Sequence, residues 1–179
     1  MQATFGMVHG RFQPFHLGHL DYAKKAAMRC EHLIVGITNP DPFEIEQEAS
    51  SDHRHLAESN PYTYFQRAEM IRAALIDEGF DLRKVSLIPF SVHHPEKWPY
   101  YLPPAANVVQ FIRVFSEWEQ TKAERLREHG FTVEILDKGA PKEYAGVDVR
   151  GRMEAGDGWK ERVPPSVAEV IKQVHAGTI

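Results

Sequence analysis

The chain has 179 residues, 42% of them hydrophobic and 26% charged, an ordinary soluble composition that argues against extended disorder. Its 21 basic and 25 acidic residues leave a net charge of −4, so the global basic field of a nucleic-acid binder is absent. One cysteine, Cys30, excludes an internal disulfide and fits the reducing cytoplasm, while no signal-peptide pattern and no apolar run near the ~20 residues of a membrane span is present.

Residues 5–8 read as a short buried strand. Leu17, Leu20, Ala23, Ala27 and Cys30 fall near helical spacing and predict a helix over 18–30. Residues 33–37 form a second apolar strand. The segment 39–61 then carries three prolines and mixed charge without periodicity, which reads as a lid or binding loop. Thr63 and Gln66 make a capping-box signal, Gly79 a stop, and Phe65, Ala68, Ile71 and Leu75 the buried stripe between them. Strands follow at 85–90, 108–115 and 131–136. Ser116 with Glu119 opens a helix that stops at Gly130. Ser166 with Glu169 opens a last one, with Val167, Val170, Ile171 and Val174 on one face. Strands alternating with helices predict a doubly wound, Rossmann-like α/β parallel sheet. The expected organisation is one domain over 1–179, with a C-terminal helical part at 144–179. Ligands in such folds bind beyond the carboxyl ends of the strands, so the segments after the strands carry the chemistry.

The densest of these runs from Gly10 to His19. It contains Arg11, Gln13, His16, Gly18 and His19. It follows a strand and opens a helix, where unpaired N–H groups and the positive dipole end attract phosphate. Gly18 lets a phosphate approach the backbone. His16 and His19, three apart, can face one point, and Arg11 adds a planar donor fork. A zinc helix would want histidines four apart beside a glutamate, which this segment lacks, so no metal ligands are assigned. The segment 39–61 holds His53, Arg54 and His55, candidates for closing over an anionic substrate. His93, His94 and Lys97 follow the third strand and can offer charge to a compact anion. The charges Glu119, Lys122, Glu124, Arg125 and Arg127 read as a solvated helix face.

Residues 10–19 resemble the phosphate-binding signature of the HxGH nucleotidyltransferase superfamily. With Gln13-Pro14-Phe15 the string looks most like archaeal-type nicotinamide mononucleotide (NMN) adenylyltransferases. The likeness continues through residues 61–71, Trp98 and 149–153. It implies an attack by an acceptor phosphate or phosphonate oxygen on the α-phosphorus of a nucleoside triphosphate, with pyrophosphate leaving. In that reading His16 and His19 contact the α- and β-phosphates, and Arg11 and Arg150 hold the β- and γ-phosphates. Gly10, Gln13, Gly18, Gly146, Asp148 and Val149 line the nucleotide, and Trp98 stacks on the acceptor. Mg²⁺ arrives with the triphosphate. Relatives often self-associate, so a homo-oligomer is anticipated.

Departures from the pattern bear on the substrates. Ala145 and Val147 stand where hydroxyl residues are usual, and Ser116-Glu117-Trp118 stands where a Gly-Asn pair is usual. Trp98 favours ATP with NMN. The altered 145/147 positions and the basic segment around Arg54 favour CTP with a small phosphonate, as in the related cytidylyltransferases of phosphonate biosynthesis such as phosphonoformate cytidylyltransferases. The second pair is the expectation carried forward. A non-catalytic nucleotide sensor would not need His16, His19, Arg11 and Arg150 together.

Overall fold

The computed structural model describes residues 3–44, 56–138 and 141–179. Five strands form one parallel sheet: β1 (Ala3–Gly10), β2 (Cys30–Thr38), β3 (Val85–Phe90), β4 (Val108–Arg113) and β5 (Thr132–Leu136), in the order β3-β2-β1-β4-β5. In register, Val8 lies opposite Val35 of β2, and Gly6 opposite Val109 of β4. The helices are α1 (Leu17–Ala27), α2 (Tyr64–Asp77), α3 (Glu117–Glu128), α4 (Gly146–Ala155) and α5 (Pro165–His175). Winding reverses between β1 and β4, and a crevice opens there beyond the strand ends.

Side chains alternate across the strands and build two cores. Val8, Val35 and Phe111 face α1, α2 and α5, where Leu20, Ile71, Leu75, Val167 and Ile171 are buried. Met7, Ile34 and Ile112 face α3, together with Trp98, Leu126 and Phe131. Burying one such aliphatic side chain stabilises the fold by about 1.5–3 kcal/mol, so both layers hold the sheet rigid under the crevice. The β3-to-β4 crossover is not an α-helix. Pro95, Pro99, Pro103 and Pro104 restrict it to 3₁₀ segments at Pro95–Tyr100 and Ala105–Asn107. Among the described residues, no helix is long and apolar enough to cross a membrane.

Local signals succeeded and failed for identifiable reasons. Thr63 and Gln66 cap α2 reciprocally, as their spacing predicts. Phe65, expected in the buried stripe, is 59% exposed, and Arg67 takes an inward position at 1%. The Ser116 hydroxyl donates to the Glu119 carboxylate instead of capping the backbone of α3. Glu119 and Lys122 are buried at 8% exposure each, so the expectation of a solvated face fails for this side of α3. No capping box opens α5, because Pro164 precedes it and it begins one residue before Ser166. Residues 45–55, with His53, Arg54 and His55, lie outside the described residues; short 3₁₀ turns at Pro42–Glu44 and Ala57–Ser59 flank them.

Candidate active site

A cleft of about 920 Å³ runs over the carboxyl edge of the sheet, from the α1 side to the α3 side. The β1–α1 loop forms its floor. Here Phe12 adopts φ 54°, a left-handed conformation that is costly for a bulky residue. Burial of its ring between Phe15 and His19 offsets that cost.

His16 is the N-cap of α1 and His19 its third residue. The His16 Nδ1 accepts the His19 backbone N–H at 3.3 Å, and the His19 Nδ1 accepts the His16 backbone N–H at 3.3 Å. This is a capping box built from two imidazoles, with ring centroids 3.5 Å apart and 16° between planes. A nitrogen that accepts carries no proton, so each neutral ring carries its hydrogen on Nε2. Burial, then the Lys142 and Arg113 charges, push the His16 pKa down to about 3. Burial, His16 and the same cations hold His19 well below the usual range. Both are therefore neutral at pH 7 and present N–H donors without titrating.

Cations surround this pair. Arg113, at the end of β4, donates to the Gly18 carbonyl at 2.8 Å and pairs with Asp21 and Asp137. Lys25 bridges the same two carboxylates at 2.9 and 2.7 Å. Lys142 and Tyr144 form the cleft wall facing His16, with the Tyr144 ring stacked 6.2 Å from the His16 ring. Arg11 lines the cleft and its Nη1 donates to the Ser59 carbonyl at 3.4 Å. Beneath it, Arg67 donates to four carbonyls: Arg11 at 2.8 Å, Thr38 at 2.6 Å, Asn39 at 2.8 Å and Thr63 at 3.2 Å. One buried guanidinium thereby ties the ends of β1, β2 and the start of α2 together. Burial lowers its pKa to about 10, which still leaves it charged at neutral pH.

The start of α4 closes the cleft. Arg150 Nη1 donates to the Gln13 carbonyl at 2.7 Å. Gly146 is needed for this approach, because a Cβ there would stand 2.8 Å from the Gln13 carbonyl oxygen. Gly10, Gly18 and Gly146 all line the cleft.

Several expected site residues stand elsewhere. Trp98 is a core residue, 4% exposed, packed on Phe90, His129 and Phe131, with its Nε1 donating to the Ser91 carbonyl at 2.8 Å. It does not line the cleft, and neither does Lys97; His93 does. Val149 is fully buried in the core, and its N–H bonds the Ala145 carbonyl inside α4. Asp148 pairs with Arg152 at 3.1 Å and Arg162 at 3.7 Å and stays outside. Gln13 lines the cleft, but its side-chain amide is spent on Tyr62, donating to its carbonyl and accepting its N–H at 2.9 Å each. Its part is to hold the loop. Sequence reasoning missed Arg113, Lys122, Lys142 and Tyr144 as cleft-lining residues and Arg67 as the clamp beneath the loops, and gave no role to Trp118. Arg113 alone had a signal, a cation at the carboxyl end of a central strand.

The profile of the cytidylyltransferase-like family matches residues 7–151. Phosphonoformate cytidylyltransferase of Streptomyces viridochromogenes is 39% identical over 96% of this chain and 92% of its own length. Nicotinamide-nucleotide adenylyltransferase of Saccharolobus solfataricus is 31% identical over 94% of this chain and 90% of its own. A crystal structure of a bifunctional NMN adenylyltransferase/ADP ribose pyrophosphatase from Francisella tularensis superposes with a TM-score of 0.73 at 19% identity. It covers 97% of this chain, which spans half the length of that protein.

Proposed function

The chain belongs to the cytidylyltransferase-like family and is a nucleotidyltransferase, and on that premise we propose that it transfers CMP from CTP to an oxygen of a small phosphonate. The observation that carries this choice of acceptor is the burial of Trp98. The ring that would stack on a nicotinamide belongs to the core. The higher identity to a phosphonoformate cytidylyltransferase supports the same choice.

In the proposed mechanism the triphosphate lies over the start of α1. The Nε2–H groups of His16 and His19 donate to the α- and β-phosphate oxygens. Their neutrality suits them to be donors that need no proton exchange. Arg11 and Arg150 hold the β- and γ-phosphates, and Lys142 and Arg113, which line the same cleft, add positive field. The acceptor oxygen attacks the α-phosphorus, the bond to the bridging oxygen breaks, and pyrophosphate leaves. A phosphonate has lost at least its first proton at neutral pH, so it arrives with an anionic oxygen and needs no general base. Catalysis is then positioning and stabilisation of developing charge. The nucleotide would bring Mg²⁺ with it, and the cation would supply charge neutralisation at the phosphates. Asp21 and Asp137, the carboxylates in the cleft nearest α1, are already engaged by Lys25 and Arg113, which fits a cation carried by the substrate.

A screen of pyrophosphate release tests the reading, crossing four nucleoside triphosphates with NMN, nicotinate mononucleotide and small phosphonates. Turnover is expected with CTP and a small phosphonate. The adenylyltransferase relatives favour a second reading, ATP with NMN, and turnover confined to that pair would replace the first.

A further inference from the structure

Among the described residues, three other than glycine adopt left-handed backbone: Phe12 (φ 54°), Asn39 (φ 50°) and Asp137 (φ 51°). The first two stand just beyond the ends of β1 and β2, which pair side by side in the sheet. Such conformations are costly and persist only where the surroundings fix them. Here one nitrogen fixes both. Arg67 Nη1 donates to the Arg11 carbonyl at 2.8 Å and to the Thr38 carbonyl at 2.6 Å. Each carbonyl belongs to a rigid peptide plane that ends at the amide nitrogen of the next residue. Holding the first plane therefore restricts ψ of Arg11 and φ of Phe12. Holding the second restricts ψ of Thr38 and φ of Asn39.

Arg67 itself does not line the cleft, but what it holds does. Arg11, Phe12, Thr38 and Asn39 are all lining residues. Past the first plane, the Phe12 ring turns into the core and meets the His19 ring edge-on at 4.9 Å. The same stretch of chain grips the loop at two more points. The Tyr62 backbone engages the Gln13 amide, and the Ser59 carbonyl accepts from Arg11. A lysine could not stand in for the guanidinium. Its three donors radiate from one atom, whereas Arg67 spreads its own over two strand ends and the start of α2.

We propose that Arg67 is a positioning residue for the transfer: by locking these two peptide planes it aims Arg11 at the triphosphate before the nucleotide arrives. It rests on the role given to Arg11 above, and adds what sets that role. A donor already in place binds more tightly than one that must order on binding, so losing the lock should weaken the nucleotide although no substrate contact is removed.

The test is a double-mutant cycle between Arg67→Lys and Arg11→Ala, read by calorimetric binding of CTP with Mg²⁺ and no acceptor. Arg67→Lys is expected to weaken CTP by about tenfold. In the Arg11→Ala background the same change should alter the affinity by less than about twofold, because the group it positions is gone. Urea midpoints of the four proteins separate this from damage to the fold, since the stability lost with Arg67 should be similar in both backgrounds. Equal weakening of CTP in both backgrounds would make Arg67 a scaffold residue only, and overturn the proposal while the nucleotidyltransferase reading stands. If Arg11→Ala leaves the affinity unchanged, the role of Arg11 falls and the proposal with it. If the unsubstituted protein binds ATP and not CTP, the choice of CTP falls and the cycle is judged on ATP; binding of neither would take down both. Should Arg67→Lys not fold, Arg67→Gln takes its place in the cycle. If neither folds, the guanidinium is a requirement of folding and the proposal is overturned.

Discussion

Three buried imidazoles tie the stability of this fold to pH, and a step from about pH 7.5 to about pH 5.5 isolates their contribution. His9, His16 and His19 are all held neutral, first by burial and then by neighbouring charges. In the unfolded chain each returns to about 6.5. A folded pKa below the unfolded one means that stability is complete above about 6.5 and is lost as the pH falls. At about pH 5.5 the unfolded chain has taken up nearly one proton per histidine and the folded chain none. Each then costs about 1.4 kcal/mol relative to pH 7.5, or about 4 kcal/mol for the three. Asp21 and Asp137, lowered by their cationic partners, stay ionised across this window in both states and do not mask the effect. Against a typical stability of about 5–15 kcal/mol, that loss is large. With a urea m-value of about 2 kcal/mol/M, the midpoint should fall by about 2 M. His9→Leu should remove about a third of the difference. A midpoint that moved by less than about 0.5 M would refute the burial of three neutral imidazoles.

Four further outcomes are expected. His19→Ala should lower turnover by at least about 100-fold while the triphosphate KM changes much less, and retention of half the turnover would remove His19 from the reaction. Arg150→Lys should raise the triphosphate KM by about tenfold, because an ammonium cannot hold both the Gln13 carbonyl and a phosphate as a guanidinium does; a rise confined to the acceptor KM would reassign it. Trp98→Phe should cost about 1–3 kcal/mol by denaturation, through lost packing and the lost bond to Ser91, with the acceptor KM within about twofold. An acceptor effect without a stability loss would return the indole to the site. The rate at limiting acceptor, measured by initial rates across pH, should show no limb from His16 or His19 between about pH 5.5 and about pH 7.5, and an inflection near the ordinary imidazole range would return a titrating histidine to the reaction.

The winding of the sheet was legible because apolar strands and capped helices repeat at short range. The 85–90 strand and the Thr63–Gln66 cap are local features, and both form where spacing places them. The His16–His19 junction was legible for the same reason, since its donors lie within one helical turn. What escaped depends on packing between distant segments. Trp98 and Trp118 look alike in sequence, but the first is enclosed by Phe90 and Phe131 while the second faces the cleft. Lys122 and Arg67 were hidden because charge normally marks a solvated face, and only tertiary enclosure turns either inward. Gln13 lay in the correct loop, yet its amide serves Tyr62, 49 residues away.

The bond from Arg150 to the Gln13 carbonyl spans 137 positions. A ribosome adding about 5–20 residues per second would emit the loop histidines roughly 7–27 s before the arginine that completes their site. During that interval the growing chain can pair β1 with β2 and begin its core. On the proposed mechanism it holds no assembled grip on a triphosphate, because the cleft-lining Lys142, Tyr144 and Arg150 all belong to its last quarter. If those residues act as proposed, competence for transfer arrives late in the life of each molecule. Chains truncated before α4 should be inert, because they lack both the Arg150 contact and the α5 face of the core.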